Sequence, residues 1–368
     1  MQMMAAVVRP GATTFSYEAV ELDAPRADEI RVRIVGVGFC HTDLVFCQTS
    51  SIAPPVVLGH EGSGIVEEVG GLVTKVKPGD RVAITFRSCG SCDRCCTGDA
   101  AYCRTMPALN YAGCRSDGSM AIHDGAGDIA SNFFGQSSFA THALTYERNV
   151  VKVPDDVPLA LMGPLGCGIQ TGAGGVMRAL AARAASSILI LGAGSVGLAA
   201  VMGAKIQGCS TIIVLEPHEA RRRMAVEFGA THTLDPKSTP DLGAAVRKIV
   251  PPGVDYAFDT TGGPAVLAAA MAALGSKAVF GIVGVPPAGT PVPGDLISVI
   301  TFGYTIKGII EGDSDPDSFI PELIRHYQAG RLPFDRLIKT YPLSKINEAI
   351  LDQHEGRCIK AVLIPNTE

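Results

Sequence analysis

Four cysteines, Cys89, Cys92, Cys95 and Cys103, follow one another as C-x2-C-x2-C-x7-C. Thiolates at that spacing can close around one tetrahedral Zn²⁺ and leave no open position, which makes a structural site. An iron–sulfur cluster competes for closely spaced thiolates, and a zinc ribbon for nucleic acid competes as a use of the zinc. Zinc is favoured because the rest of the chemistry needs no electron carrier, and Cys96 beside the cluster reads as a bystander. Three further segments offer ligands: GFCHTD around Cys40, GHEG around His60 and GPLGCGIQT around Cys167. Singly, each cysteine is as readily a small core residue. Together they supply two thiolates and one imidazole, a zinc set that keeps a position for substrate. A last group is glycine-rich: ILILGAGSVG carries G-x-G-x-x-G at Gly192, Gly194 and Gly197. The first glycine permits a tight turn, the second lets a pyrophosphate approach the backbone, and the third lets a helix pack on its strand. The following TIIVL run ends in Glu216, 24 residues beyond Gly192, where a carboxylate accepts ribose hydroxyls and repels a 2′-phosphate. That favours NAD(H) over NADP(H), although Arg221 and Arg222 nearby are able to accept a phosphate.

The elements that must position these residues divide into two kinds. The first ~150 residues carry short β-type runs bounded by Gly or Pro, among them EIRVRIVGV, GIVEEV and DRVAIT, which predict an irregular β domain with few helices. From about Leu161 the rhythm alternates. Strands are expected at Ile188–Leu191, Thr211–Leu215, Val254–Phe258 and Ala278–Val283, and helices at Val196–Ile206, His218–Phe228 and Ala265–Leu274. Such alternation implies an α/β, doubly wound parallel sheet. A further helix is expected at Ser318–Ala329 and a strand at Cys358–Leu363, in a tail that returns to the first domain.

Composition supports this reading. The 368 residues are 47% hydrophobic and 18% charged, which excludes a disordered chain, and a net charge of −5 excludes a broad basic nucleic-acid surface. An odd count of 11 cysteines is not a disulfide framework. Ala184–Ala204 is an uncharged run of 21 residues, but its glycines and serines make it a strand, turn and helix rather than a membrane span. No secretory leader pattern opens the chain at Met1, so a cytoplasmic location is expected.

In order along the chain, GFCHTD, VVLGHEGSGIVEEVG, VKPGDRV, the four-cysteine lobe, LGCGIQTG, ILGAGSVG and GRCIKAVLI resemble the zinc-dependent medium-chain alcohol dehydrogenases. FFGQSSFATHALTYERNVVKVP narrows the likeness to the aryl-alcohol (benzyl-alcohol) dehydrogenases. The resemblance implies a GroES-like catalytic domain at 1–168 and 311–368 with a structural zinc lobe at 85–105, and an NAD-binding Rossmann domain at 169–310. It implies two zinc ions per chain, one structural and one catalytic, the latter held by Cys40, His60 and Cys167. Glu61 would be the acid that approaches the metal during ligand exchange. Asp43 would fix the tautomer of His60, and Thr42 would take the alcohol proton. His41 and Lys360 would lie near the cofactor pyrophosphate, Thr171 and Val196 against the nicotinamide, and Arg221 by the adenosine ribose. One departure stands out: relay-competent members carry a histidine three residues after the threonine, and here that residue is Val45. Phe86, Tyr111 and Phe133 are candidates for apolar lining or ordinary core.

The implied activity is reversible oxidation of primary aromatic or allylic alcohols, of benzyl-alcohol or terpene-alcohol type, to aldehydes. It proceeds by hydride transfer from a zinc-bound alkoxide to NAD. The alternatives are a thiol-adduct formaldehyde dehydrogenase and a non-catalytic protein that binds NAD and zinc. The expected partners are a small-molecule substrate and a second copy of the chain, as a homodimer or homotetramer pairing near Val292–Ile310. No nucleic acid or membrane partner is expected.

Overall fold

The computed structural model describes residues 1–365. Its contacts divide the chain into two compact units. One holds Met1–Cys167, Asp315–Gln328 and the described residues from Pro333 onward; the other holds Gly168–Ser314 and Ala329–Leu332. The breaks fall after Cys167 and after Ser314, and the stretch Ala329–Leu332 of the tail goes with the second unit.

The first unit is built on two sheets. Its central strand, Glu29–Gly38, alternates as the sequence does: Ile30, Val32 and Ile34 are buried while Arg31 and Arg33 are half-exposed. Period two with one apolar face is what a mostly antiparallel sheet demands. This strand pairs with Gly62–Val69 along most of its length and with His142–Tyr146 at its start. At its end it meets Lys360–Ile364, so the tail closes on the residues just before Cys40. The helix His41–Thr49, absent from the sequence expectation, follows directly. Asp43 Oδ2 accepts the Cys40 N–H at 3.0 Å, one arm of a capping box.

The second unit carries six parallel strands in spatial order His232–Leu234, Thr211–Leu215, Ser187–Leu191, Val254–Asp259, Leu274–Ile282 and Thr305–Gly308. Counted along the unit this is 3-2-1-4-5-6, the dinucleotide-binding order with its switch point beside the glycine-rich turn. Ser187–Leu191 is buried at every position, as a strand covered on both faces must be. One boundary is corrected: the helix expected to reach Leu274 runs Pro264–Met271. Leu274 opens the next strand, paired with Val254, because burying both side chains in the sheet outweighs the helix propensity of the alanine run. Among the described residues no helix is long and apolar enough to cross a membrane.

Candidate active site

The first unit brings Cys40, His60, Glu61 and Cys167 together, with one ligand atom from each within 4.8 Å of the others. Backbone turns do the gathering. Cys40 stands between the central strand and its helix, and His60 and Glu61 precede the partner strand. Asp43 organises the set: Oδ1 contacts His60 Nδ1 at 2.9 Å and accepts the Gly59 N–H at 3.1 Å, while Oδ2 holds Cys40. With Nδ1 so engaged, Nε2 is the ring atom left to bind a ligand. His60 Nε2 is buried and has no hydrogen-bond partner. An orphaned buried nitrogen amid thiols fits a zinc ion.

The electrostatics agree. The Cys40 thiol is held well below its ordinary range by a hydrogen bond with Cys167, and burial is opposed by the charges of His60 and Lys360. Burial works against a charge on His60, but Asp43 and Cys40 outweigh it and raise its pKa well above the usual imidazole value. A metal ion must therefore displace a proton, so loading strengthens as pH rises. Thr42 Oγ1 lies 3.7 Å from Cys40 Sγ, His41 is exposed at the helix start, and Val45 is half-buried one turn further on.

Lys360, expected near the cofactor pyrophosphate, is turned inward: it is 1% exposed, with Nζ 2.5 Å from Glu61 Oε2 and donating to the Phe39 carbonyl at 2.9 Å. Room for the pair comes from Gly38, where a Cβ would fall 1.9 Å from Glu61 Oε2. A lysine provides one compact charge, and here that charge neutralises a buried carboxylate. Burial pushes the Glu61 carboxyl up, with Lys360 pulling against it.

The FFGQSS run beginning at Phe133 carried part of the family likeness in the sequence, but its role in bracing this site did not show there. Asn132, Phe134, Gly135 and Ser137 all have positive φ, yet the segment is buried. Phe134 stacks on the His60 ring at 4.4 Å, and Phe133 meets it edge-on at 5.4 Å. Gln136 Nε2 donates to the His60 carbonyl at 2.9 Å and to that of Thr85 at 3.3 Å, while its Oε1 accepts from Gly62 N at 3.1 Å and from Ser138 Oγ at 2.9 Å. Phe86 and Phe133 are core residues, and Tyr111 is half-buried against Phe46 and Phe134.

In the lobe, Cys89, Cys92, Cys95 and Cys103 form a second group with sulfurs within 4.8 Å of one another. The pairs Cys89–Cys95, Cys92–Cys95 and Cys92–Cys103 are 3.9, 3.6 and 4.0 Å apart. A tetrahedron with ~2.3 Å Zn–S bonds has edges of ~3.8 Å. The spacing thus suits one zinc ion and is tight for a cluster of irons. Backbone N–H groups of Ser91 and Cys92 lower the Cys89 thiol to about 5, while burial pushes Cys95 up to about 12. Cys96 is exposed, its Sγ on the Ser91 carbonyl.

In the second unit the glycine turn has the shape of a cradle. Gly192 has φ +94°, and a Cβ on Gly197 would meet the Gly192 carbonyl oxygen at 2.0 Å. At Gly194 a Cβ would meet nothing within 4 Å, which is the space a pyrophosphate needs. Glu216 is buried beside it: Oε2 accepts the Ala193 N–H at 2.8 Å and Oε1 that of His218 at 2.9 Å. Arg222 is committed to the Glu216 and Pro217 carbonyls, at 2.7 and 2.9 Å, and to Asp235 at 3.3 Å. Arg221 is half-buried and its Nε has no partner. Thr171 lies on the short helix Gly168–Gly174, which packs so closely on the glycine-turn helix that a Cβ on Gly172 would be 2.1 Å from the Val196 carbonyl oxygen.

Comparison with known proteins agrees with both units. Residues 26–155 match the alcohol dehydrogenase GroES-like domain and residues 195–328 the zinc-binding dehydrogenase family. The chain is 46% identical to geraniol dehydrogenase from Castellaniella defragrans over 98% of its own length and 97% of the relative's. It superposes on the crystal structure of benzyl alcohol dehydrogenase from Acinetobacter calcoaceticus with TM-score 0.95 and 42% identity, covering all of both chains. A zinc-binding-domain alcohol dehydrogenase protein from Burkholderia ambifaria gives TM-score 0.97 and 47% identity, again over all of both chains. With a GroES-like unit, a doubly wound cofactor unit and relatives matched end to end, the chain belongs to the zinc-binding medium-chain alcohol dehydrogenase family.

Proposed function

We propose that this enzyme oxidises primary aromatic or allylic alcohols, of benzyl or terpene type, to aldehydes with NAD and zinc, and runs in reverse when aldehyde and NADH are supplied. The observation that carries the reading is the buried, unpartnered His60 Nε2 amid Cys40 and Cys167. The substrate class rests on the relatives acting on geraniol and benzyl alcohol. Cys40, His60 and Cys167 would hold the catalytic zinc, and Cys89, Cys92, Cys95 and Cys103 a structural one. Bound zinc supplies Lewis-acid polarisation of the alcohol oxygen, and NAD supplies the hydride acceptor.

The chain does the rest. Asp43 holds the imidazole in the tautomer that leaves Nε2 for the metal. Phe134 and Phe133 pack an apolar wall against His60, which keeps water off the ring and suits a substrate of aromatic or allylic character. Thr42 accepts the hydroxyl proton and passes it on. With Val45 in place of a relay histidine, the next acceptor is water or the exposed His41. Glu216 receives the ribose hydroxyls and favours NAD, since a 2′-phosphate would face a carboxylate. Arg221 is left for the adenosine side.

Thr42→Val lowers kcat by about 10²-fold or more, the contribution typical of a placed proton carrier, while Thr42→Ser stays near wild type. Steady-state rates of the two variants check this, and equal rates would remove Thr42 from the relay. The activity itself is tested with purified protein, NAD and a panel of benzyl alcohol, geraniol, ethanol and a hydroxymethyl-thiol adduct, following NADH. Benzyl alcohol and geraniol lead if the reading is right. The thiol adduct leads if the enzyme is a formaldehyde dehydrogenase, and no NADH with any alcohol, despite two zinc ions per chain by elemental analysis, marks a binding protein.

A second copy of the chain is the proposed partner, in a cytoplasmic setting. Leu296, Ile297 and Ile300 are 73%, 76% and 72% exposed on one short helix, and Val292 is 73% exposed just before it. Contiguous exposed apolar residues mark an association surface. Ile297→Glu with Ile300→Glu should halve the mass seen by light scattering, and an unchanged mass would place the interface elsewhere.

A further inference from the structure

Glu311 is a buried carboxylate that the chemistry above does not use. It follows the edge strand Thr305–Gly308 and is 6% exposed. Its φ is +50°, followed by +69° at Gly312 and +51° at Asp313. Left-handed backbone at two residues with side chains is costly, and such runs persist where the surroundings impose them. Here the surroundings are the helix Gly168–Gly174. A Cβ on Gly312 would lie 2.4 Å from the Gln170 carbonyl oxygen and 2.8 Å from Gly174 Cα, so the turn is pressed directly onto that helix. Only glycine fits there, and the tight turn delivers the neighbouring carboxylate to the helix. Glu311 Oε2 accepts from Gln170 Nε2 at 3.0 Å and from Thr171 Oγ1 at 3.4 Å. Ser314 Oγ ties the turn further, donating to the Glu311 carbonyl at 2.7 Å and reaching Gln170 Oε1 at 3.4 Å.

Position in the sheet gives this cluster its meaning. A doubly wound sheet binds its ligand outside the carboxyl ends of the strands, one mononucleotide half on each side of the switch point. Glu216, at the end of Thr211–Leu215, belongs to the half on one side of the glycine turn. Glu311 follows the last strand of the other half, and the helix it grips packs against Val196 at the start of the glycine-turn helix. We infer that Glu311 positions the nicotinamide half of the dinucleotide, by holding Thr171 and Gln170 in place from the second half of the sheet. This rests on the NAD reading. Thr171 and Gln170 would otherwise choose among rotamers, and a charge-assisted hydrogen bond holds them more firmly than a neutral one.

The test compares NAD⁺ with ADP-ribose, which lacks only the nicotinamide. Calorimetric Kd values are measured for both ligands on wild type and Glu311→Gln, with no alcohol present. Glu311→Gln is expected to weaken NAD⁺ about tenfold, or about 1.4 kcal/mol, and to leave ADP-ribose unchanged. Thr171→Val serves as a second variant if Glu311→Gln folds poorly, with the same selective loss expected. An unchanged Kd for NAD⁺, or equal losses for both ligands, would overturn the inference and leave the NAD reading standing. Wild-type protein that binds neither ligand would instead overturn the NAD reading and this inference with it.

Discussion

With the proposed zinc held by Cys40, His60 and Cys167, Asp43→Ala is expected to lose that metal and the turnover together. The carboxylate serves three buried groups at once: the His60 ring, the Cys40 N–H and the Gly59 N–H. Removing a carboxylate that orients a ligating histidine costs about 10- to 100-fold in metal affinity or activity. The two backbone N–H groups left without acceptors add about 1–3 kcal/mol each in desolvation. The loss should therefore exceed that of any variant that touches the ring alone. Elemental analysis after mild chelation will find about one zinc per chain in Asp43→Ala and about two in wild type, the difference coming from the site that Asp43 supports. Asp43→Asn should fall between them, since it keeps one oxygen acceptor. An Asp43→Ala protein that holds both ions and turns over normally would mean that His60 is not a ligand.

The second large effect belongs to Lys360→Met. Both partners of the Lys360–Glu61 pair are essentially buried, at 1% and 0% exposure. Breaking a buried ion pair from one side leaves the other charge uncompensated and costs about 3–5 kcal/mol, a large share of the ~5–15 kcal/mol that holds a domain folded. Lys360→Met should therefore lower the thermal midpoint sharply. Lys360→Met combined with Glu61→Gln should recover much of the loss, because no buried charge is then left alone. A lysine on the cofactor pyrophosphate would behave differently: the variant would raise the KM for NAD while the midpoint held. Thermal unfolding of the single and double variants, beside the KM for NAD, separates the two roles.

What could be read from the sequence follows from how local each signal is. The turn at Gly192, Gly194 and Gly197 was legible because a short stretch carries the strand, the turn and the packing requirement together. The four-cysteine lobe was legible because its ligands lie within one loop. The buried strand at Thr211–Leu215 and the acid after it announced themselves through an unbroken apolar run ending in a charge. The Lys360–Glu61 pair was not legible: the tail's return to the first domain was expected, but nothing near either residue signals that its strand lands beside Glu29–Gly38. Gln136 and Glu311 were hidden for a related reason. Each sits in a turn of positive φ, and the sequence shows only a glycine at Gly135 or Gly312, not the direction in which the neighbouring side chain is delivered. The helix at His41–Thr49 was missed because it is short and lacks a clear apolar stripe, being set instead by the Asp43 cap that also serves His60.

The proposed reaction moves a hydride directly from a benzylic or allylic carbon to the nicotinamide of NAD, with the chain's residues positioning the two. It is tested most directly with benzyl alcohol bearing two deuterium atoms on the carbinol carbon, incubated with the zinc-loaded enzyme and NAD⁺ in ordinary water. One deuterium should appear on C4 of the reduced nicotinamide, the other should remain on the aldehyde carbon, and the hydroxyl proton should pass to solvent. Reduced cofactor without deuterium, or no reduced cofactor at all, would contradict the account.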